Sequence, residues 1–249
     1  MYNFNKCPNR YVNKTTVVDT CRLIAVTNRH LCSRSFPEQI KRICSLHPKA
    51  LILREKDLPK EDYLLLADQV LTICKEYEVP CILHSFVSAA RTLHAPYLHL
   101  PLPLLRELAA DTTAHAGKPH TPDRCLPLPQ NSHILADFQE IGTSVHSVED
   151  AIEAEHLGAT YLTAGHIYAT DCKKGLPPRG LAFLHDVCSH VSIPVYAIGG
   201  IHLKTAPDAA DSPRPTDALS TGSIVCPRLS EVLAQGAAGA CVMSDMMRI

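Results

Sequence analysis

A chain of 249 residues with 46% hydrophobic composition suits one sizeable α/β domain better than two small ones. A net charge of −1 gives no electrostatic reason for a nucleic-acid or anionic-membrane partner, and no apolar run approaches the roughly 20 residues that span a bilayer. The first twenty residues are polar, with Asn3, Asn5, Lys6, Asn9, Arg10 and Lys14, and lack the apolar stretch of a secretory signal.

Short β-rich runs alternate with helical patterns along the chain. Arg22 to Thr27 reads as a strand and Pro37 to Leu46 as a helix. Ala50 to Lys56 is an apolar run ending in charge. Lys60 to Tyr77 carries Leu64, Ala67, Val70, Leu71 and Cys74 at helical spacing. Cys81 to His84 is a strand, Ser88 to Leu93 a short helix and Tyr97 to Leu100 a strand. A helix follows it, then Ala110 to His133, which has no periodicity and reads as an insertion on the amino-terminal, stability face. Ile141 to His146 is a strand, Val148 to Leu157 a helix, Tyr161 to Tyr168 a strand and Leu181 to His190 a helix. Val195 to Ile198 is a strand. Residues 204–222 form a second insertion, expected to be a surface loop on the active face. Pro227 to Ala234 is a helix and Ala240 to Ser244 a last strand.

Eight strands, each but the last followed by a helix, imply a parallel sheet. Apolar strands without alternation imply burial on both faces. The expected fold is therefore a (β/α)8 TIM barrel, one domain over residues 1–249, with 1–21 as an amino-terminal extension. A doubly wound open sheet is weakened by the lack of a G-x-G-x-x-G after the first strand. Only Asp245 to Ile249 follow the last strand, too few for an eighth helix. The apolar surface left near strands one and eight would be covered by the amino-terminal segment or by a partner subunit, or would leave the fold compromised. A homodimer is thus compatible with the sequence.

Eleven cysteines are many, but none forms a C-x-x-C pair, and the 14 histidines contain no H-E-x-x-H. Mostly reduced, buried thiols in a cytoplasmic protein are expected, with no metal site.

In such a barrel the chemistry lies at strand carboxyl ends. Those ends carry Arg54, Glu55 and Lys56 on strand two, His84 on strand three, and Ser144 and His146 on strand five. Strand six leads into Gly165, His166 and then Thr170, Asp171, Cys172, Lys173 and Lys174. Gly199 and Gly200 follow strand seven, and Met243 and Ser244 end strand eight. Glycines after strand seven let main-chain N–H groups approach a phosphate, and the Ser244 hydroxyl can add a donor. Arg54, Lys56 and Lys173 would make the pocket cationic. His146 is the candidate for proton transfer, because an imidazole takes and returns protons near neutral pH.

The runs LREKD (Leu53 to Asp57), GTSVHS (Gly142 to Ser147), GHIYATDCKKG (Gly165 to Gly175), PVYAIGGI (Pro194 to Ile201) and GAAGACVMS (Gly236 to Ser244) resemble the thiamine phosphate synthase superfamily. The resemblance implies two candidate activities. Thiamine phosphate synthase joins a hydroxymethylpyrimidine diphosphate to a thiazole phosphate, with magnesium on the diphosphate. Its third strand ends in Asn-Asp where this chain has His84-Ser85. Its fourth strand is followed by a metal-binding Asp where this chain has Pro103, and its strand-two Gln is Ile52 here. The thiazole tautomerase (TenI-type) branch reads closer through Ser144 to Ser147 and Thr170 to Leu176. That branch implies an isomerase that aromatises a carboxylated dihydrothiazole phosphate. His146 would be catalytic, with Arg54 or Lys56 on the carboxylate and Gly199, Gly200 and Ser244 on the phosphate, without a cofactor. A non-catalytic phosphate-binding regulator is the third reading.

Overall fold

The computed structural model describes residues 20–114, 134–205 and 224–249. The elements in chain order are β1 (Leu23–Val26), α1 (Phe36–Cys44), β2 (Ala50–Leu53), α2 (Lys60–Glu76), β3 (Cys81–His84), α3 (Val87–Thr92), β4 (Tyr97–Pro101) and α4 (Leu102–Ala114). They continue with β5 (Glu140–Val145), α5 (Val148–His156), β6 (Tyr161–Gly165), α6 (Gly180–His190), β7 (Val195–Ile198), α7 (Leu229–Leu233) and β8 (Gly239–Val242). The eight strands form a closed parallel barrel in which β1 pairs with both β2 and β8. This is the expected (β/α)8 TIM barrel, and the described residues after β8 contain no helix.

Three strands stop two or more residues earlier than the sequence suggests. β2 ends at Leu53, β6 at Gly165 and β8 at Val242. Arg54 to Lys56, His166 to Tyr168 and Met243-Ser244 are therefore released from the ladder into the loops above the barrel. The insertion at 110–133 begins later than expected, because residues up to Ala114 continue α4. Its remainder lies outside the described residues, as do residues 1–19 of the amino-terminal extension and 206–223 of the second insertion. At the base of that second insertion, Lys204–Thr205 pairs antiparallel with Ile224–Val225.

Each strand sorts its side chains into two cores, as a period of two requires. Leu23, Ala25, Leu51, Leu53, Leu98, Leu100, Leu162, Ala164, Ala197 and Val242 pack outward under the helices. Ile24, Val26, Ile52, Ile82, Tyr97, Tyr161, Tyr196 and Cys241 fill the barrel. Three tyrosines need room, and glycine supplies it. A Cβ on Gly142 would lie 2.0 Å from the Tyr161 ring, and one on Gly239 3.2 Å from the Tyr196 ring.

The surface expected to lie bare near β1 and β8 is covered by the residues that follow β8. Met246 and Met247 are fully buried in the outer core. The buried Gln39 side chain on α1 donates to the Met246 carbonyl at 2.6 Å, and Arg34 donates to the Ile249 carbonyl. A turn over residues 244–248 thus covers this surface. Eight of the described cysteines are free, and five of them are buried: Cys44, Cys74, Cys81, Cys226 and Cys241. Cys21 departs from the expected reduced state, because it is disulfide-bonded. Among the described residues no helix is long and apolar enough to cross a membrane.

If this turn seals the barrel, Met247→Ala lowers unfolding stability by about 2–5 kcal/mol, the range for emptying a buried methionine site. Urea denaturation measures it, and a change within error would show that the turn only rests on the surface.

Candidate functional site

The inward parity of the strands continues into the mouth of the barrel. On β4 the inward positions are Tyr97 and His99. On β5 they are Gly142 and Ser144, and on β6 Tyr161 and Thr163. His99 is buried and holds two hydroxyls, Tyr161 at 3.0 Å from Nδ1 and Ser144 at 2.9 Å from Nε2. Thr163 in turn donates to Ser144 at 2.9 Å. A neutral imidazole satisfies both contacts, one nitrogen donating and the other accepting. Burial pushes the His99 pKa down to about 3, with Lys56 and Arg54 adding repulsion.

His84 ends β3 beside His99, with ring centroids 5.4 Å apart. Its Nδ1 lies 2.7 Å from the Ser85 hydroxyl. Its other nitrogen has no partner among the described residues, yet no buried side-chain nitrogen there goes unsatisfied, so that atom reaches the open mouth. Burial is the main cause of its lowered pKa, about 2, with His99, Lys56 and Arg54 contributing.

Lys56 is exposed at the rim. Partial burial lowers its pKa first, and the charges of Arg54 and Lys173 lower it further. The charges of Arg54 and Lys173 thus bear on Lys56, and those of Arg54 and Lys56 bear on the two imidazoles. The carboxylates nearby are turned away. Glu55, next in the chain, is buried on the opposite side, where it accepts the Thr27 hydroxyl at 2.7 Å and the Arg29 N–H at 3.1 Å. Asp57 pairs with Arg29 and His30, which hold its pKa well below the carboxylate range.

His146 lies just past β5. Its Nδ1 is 2.7 Å from the Gly165 carbonyl. A carbonyl only accepts, so Nδ1 carries the hydrogen and the lone pair of the neutral ring sits on Nε2. The residue lines a cleft of about 380 Å³ together with His166, Lys173, Leu176 and the run Pro177 to Arg179. Of the two neighbouring lysines, Lys173 faces this cleft, while Lys174 is exposed and 3.6 Å from Asp171.

Gly199 and Gly200 make the turn after β7 with φ of 99° and 66°, a conformation that favours glycine. The turn is also pressed against the loop after β6. A Cβ on Gly199 would lie 2.4 Å from the His166 Cβ, and one on Gly200 2.4 Å from the Ala169 carbonyl. Arg228 braces it from α7, donating to the Gly200 carbonyl while lying 3.9 Å from the Tyr168 ring centre. The amides of Gly199, Gly200 and Ser244 have no partner among the described residues. Successive unpaired N–H groups of this kind form an anion-binding concavity.

The twelve sequence-derived candidates thus fall into groups. Arg54, Lys56, His84 and Lys173 come together at the mouth, and Ser144 reaches them through His99. His146 joins Lys173 in the cleft. Gly199, Gly200, Met243 and Ser244 do not line that cleft, because His166 stands between it and the glycine turn. Met243 packs against the barrel interior. Thr170 is half-buried and starts the 3-10 turn Asp171–Lys173, whose Cys172 is exposed. Sequence reasoning missed His99, Tyr161 and Thr163 as parts of the site. Alternation along β4 and β6 was the available signal: His99 is two residues from Tyr97, and Thr163 two from Tyr161.

A model of the family described as thiamine monophosphate synthase matches residues 23–213. "Thiamine-phosphate synthase 2" of Streptococcus pneumoniae is 31% identical over 184 residues, covering 74% of this chain and 78% of that protein. "Thiamine-phosphate synthase" of Fusobacterium nucleatum is 28% identical, covering 74% and 79%. A solved thiamine phosphate pyrophosphorylase from Pyrococcus furiosus shares the fold, with TM-score 0.62 and 24% identity over 92% of this chain and 91% of that one. These relatives correct the expected isomerase class, because their name describes a transferase. The physical reason is that a histidine after β5, a Thr-Asp-Cys-Lys loop and a glycine turn are features that gripping a phosphorylated ring would call for in either reaction. Both activities need that grip, so the motifs do not separate them.

The two neutral imidazoles set a pH dependence. Their folded values of about 2 and about 3 lie below the ordinary 6.5, so between these limits only the unfolded chain takes up the protons. Their stabilising contribution is complete above pH 6.5 and is lost as pH falls, by about 1.4 kcal/mol per pH unit for each imidazole. Urea denaturation at several pH values should show His99→Gln losing about 2 kcal/mol less than the parent between pH 6.5 and 5. An unchanged slope would contradict the buried neutral state.

Proposed function

The chain belongs to the thiamine monophosphate synthase family, and on that premise we propose that it is a transferase joining a thiazole phosphate to a hydroxymethylpyrimidine diphosphate. The observation that carries this reading is the 31% identity to a protein named Thiamine-phosphate synthase 2, spread over 74% of the chain. The unpaired amides of Gly199, Gly200 and Ser244 support a phosphate there, at the loops where this fold most often binds one. The cations Arg54, Lys56 and Lys173 suit the more highly charged diphosphate. His146 would present Nε2 to the thiazole, in an orientation held by its bond to Gly165.

The magnesium ion that the family uses finds no matching ligands. Ser85 and Pro103 stand at the two carboxylate positions, and Glu55 and Asp57 are spent on Arg29. Among the described residues, no group of three or more His, Cys, Asp or Glu could hold a metal. No step of the reaction is therefore assigned to one. This misfit also favours a second reading, a thiazole phosphate binder without turnover.

Incubating the full chain with both substrates and oxidising the product to fluorescent thiochrome tests the proposal. Thiamine phosphate is the expected product. Binding of thiazole phosphate with no product would overturn the transferase reading in favour of the binder. Gly199→Ala, whose Cβ must displace His166, should raise the KM for thiazole phosphate about tenfold or more, since main-chain donors to a charged group are lost.

A further inference from the structure

The misfit at the metal positions has a structural counterpart. Where the family places carboxylates to carry magnesium, this chain has Ser85 just after β3 and Pro103 in the first turn of α4, and the imidazole of His84 stands one residue before Ser85. His84 is only 5% exposed, and one of its nitrogens has no partner among the described residues. Ser85, held at φ 68°, lies 2.7 Å from the opposite nitrogen. An anionic ligand selects the tautomer with the hydrogen on Nε2, in which the Ser85 hydroxyl donates to Nδ1 and the ring presents an N–H donor to the mouth.

Arg54 follows β2, whose Leu53 pairs with Leu83 of β3, so it stands beside His84 at the strand ends, and Lys56 lies close enough to Arg54 and Lys173 for both charges to lower its pKa. A divalent cation has two tasks at a diphosphate: it neutralises charge and it fixes the oxygens. Three cationic side chains supply the first. A guanidinium fork and a rigid imidazole N–H supply the second. A magnesium ion added among three cations would be repelled, with no carboxylate to offset that repulsion.

We infer that the mouth of this barrel binds a diphosphate directly, without a divalent cation, with Arg54, Lys56 and Lys173 as ionic contacts and His84 as a neutral donor. The inference rests on the transferase reading only for the choice of a diphosphate as ligand. Its chemistry makes magnesium a competitor, because the ion ties up the same phosphoryl oxygens that the side chains need.

Titration calorimetry of the full chain with inorganic pyrophosphate, in EDTA and in excess magnesium, tests it. Binding should occur in EDTA and be no tighter with magnesium. Lys56→Met, at an exposed position, should weaken it about tenfold or more, the loss of one charge-assisted contact. Ser85→Asp combined with Pro103→Asp restores the carboxylate pair. That variant should bind weakly in EDTA and recover with magnesium. Pyrophosphate binding by the parent chain only with magnesium, no binding in either condition, or full affinity in Lys56→Met would each overturn the inference. Metal-free pyrophosphate binding by a chain that forms no thiamine phosphate would uphold it while the transferase reading fails. Product formation that depends on magnesium would do the reverse.

Discussion

Closing eight parallel strands on themselves sends every second side chain into a space that no helix can reach. That space must be filled, and here tyrosines fill much of it. Tyr196 meets Tyr161 edge-on at 6.0 Å, Tyr161 lies 5.6 Å from His99, and His99 lies 5.4 Å from His84. The column runs from the core to the mouth and turns from apolar to polar as it rises. Each ring rests on the one below, so the orientation of the imidazoles at the mouth is set by packing deep in the barrel. Gly142 is part of the same device, because only an absent side chain leaves room for Tyr161.

Electrostatics at the mouth follow from how the neighbouring carboxylates are used. Glu55 sits between Arg54 and Lys56 in the chain, and alternation sends it the other way. It ends up buried against Thr27 and Arg29, where three hydrogen-bond donors satisfy it. A carboxylate left among the cations would have neutralised them. Moving it to the β1–α1 loop ties that loop down and leaves the mouth positive. Burial first, and the cations second, hold the imidazoles neutral, so the rim combines charged and uncharged side chains within a few residues.

The loops after β6 and β7 are one structure. Gly199 and Gly200 press on His166 to Ala169, and Tyr168 N–H donates to the Gly199 carbonyl at 3.0 Å. Arg228 grips the turn from the other side. The glycine turn is therefore held from two sides while its amides have no partner among the described residues, which is the preorganisation an anion site needs. His166 belongs to both parts of the site. It walls the cleft of His146 and backs Gly199.

The order and type of the elements, the closed barrel and the family were legible from the chain alone, because strand and helix periods are local properties and the motifs are contiguous. Arg54, Lys56, His84 and His146 were legible for the same reason, since each ends a strand or opens the loop after it, and Lys173 was legible from the contiguous run Thr170 to Lys173. Three features were not. The cover supplied by Met246 and Met247 depends on Gln39, more than two hundred residues away in the chain. His99 looked like one residue of a buried strand until Tyr161 and Ser144 were brought against it. The withdrawal of Glu55 from a run of charges needed Thr27 and Arg29 to receive it. In each case the deciding contact joins distant strands or loops. Periodicity assigns a side chain to a face, and only closure of the barrel decides which partners it meets there.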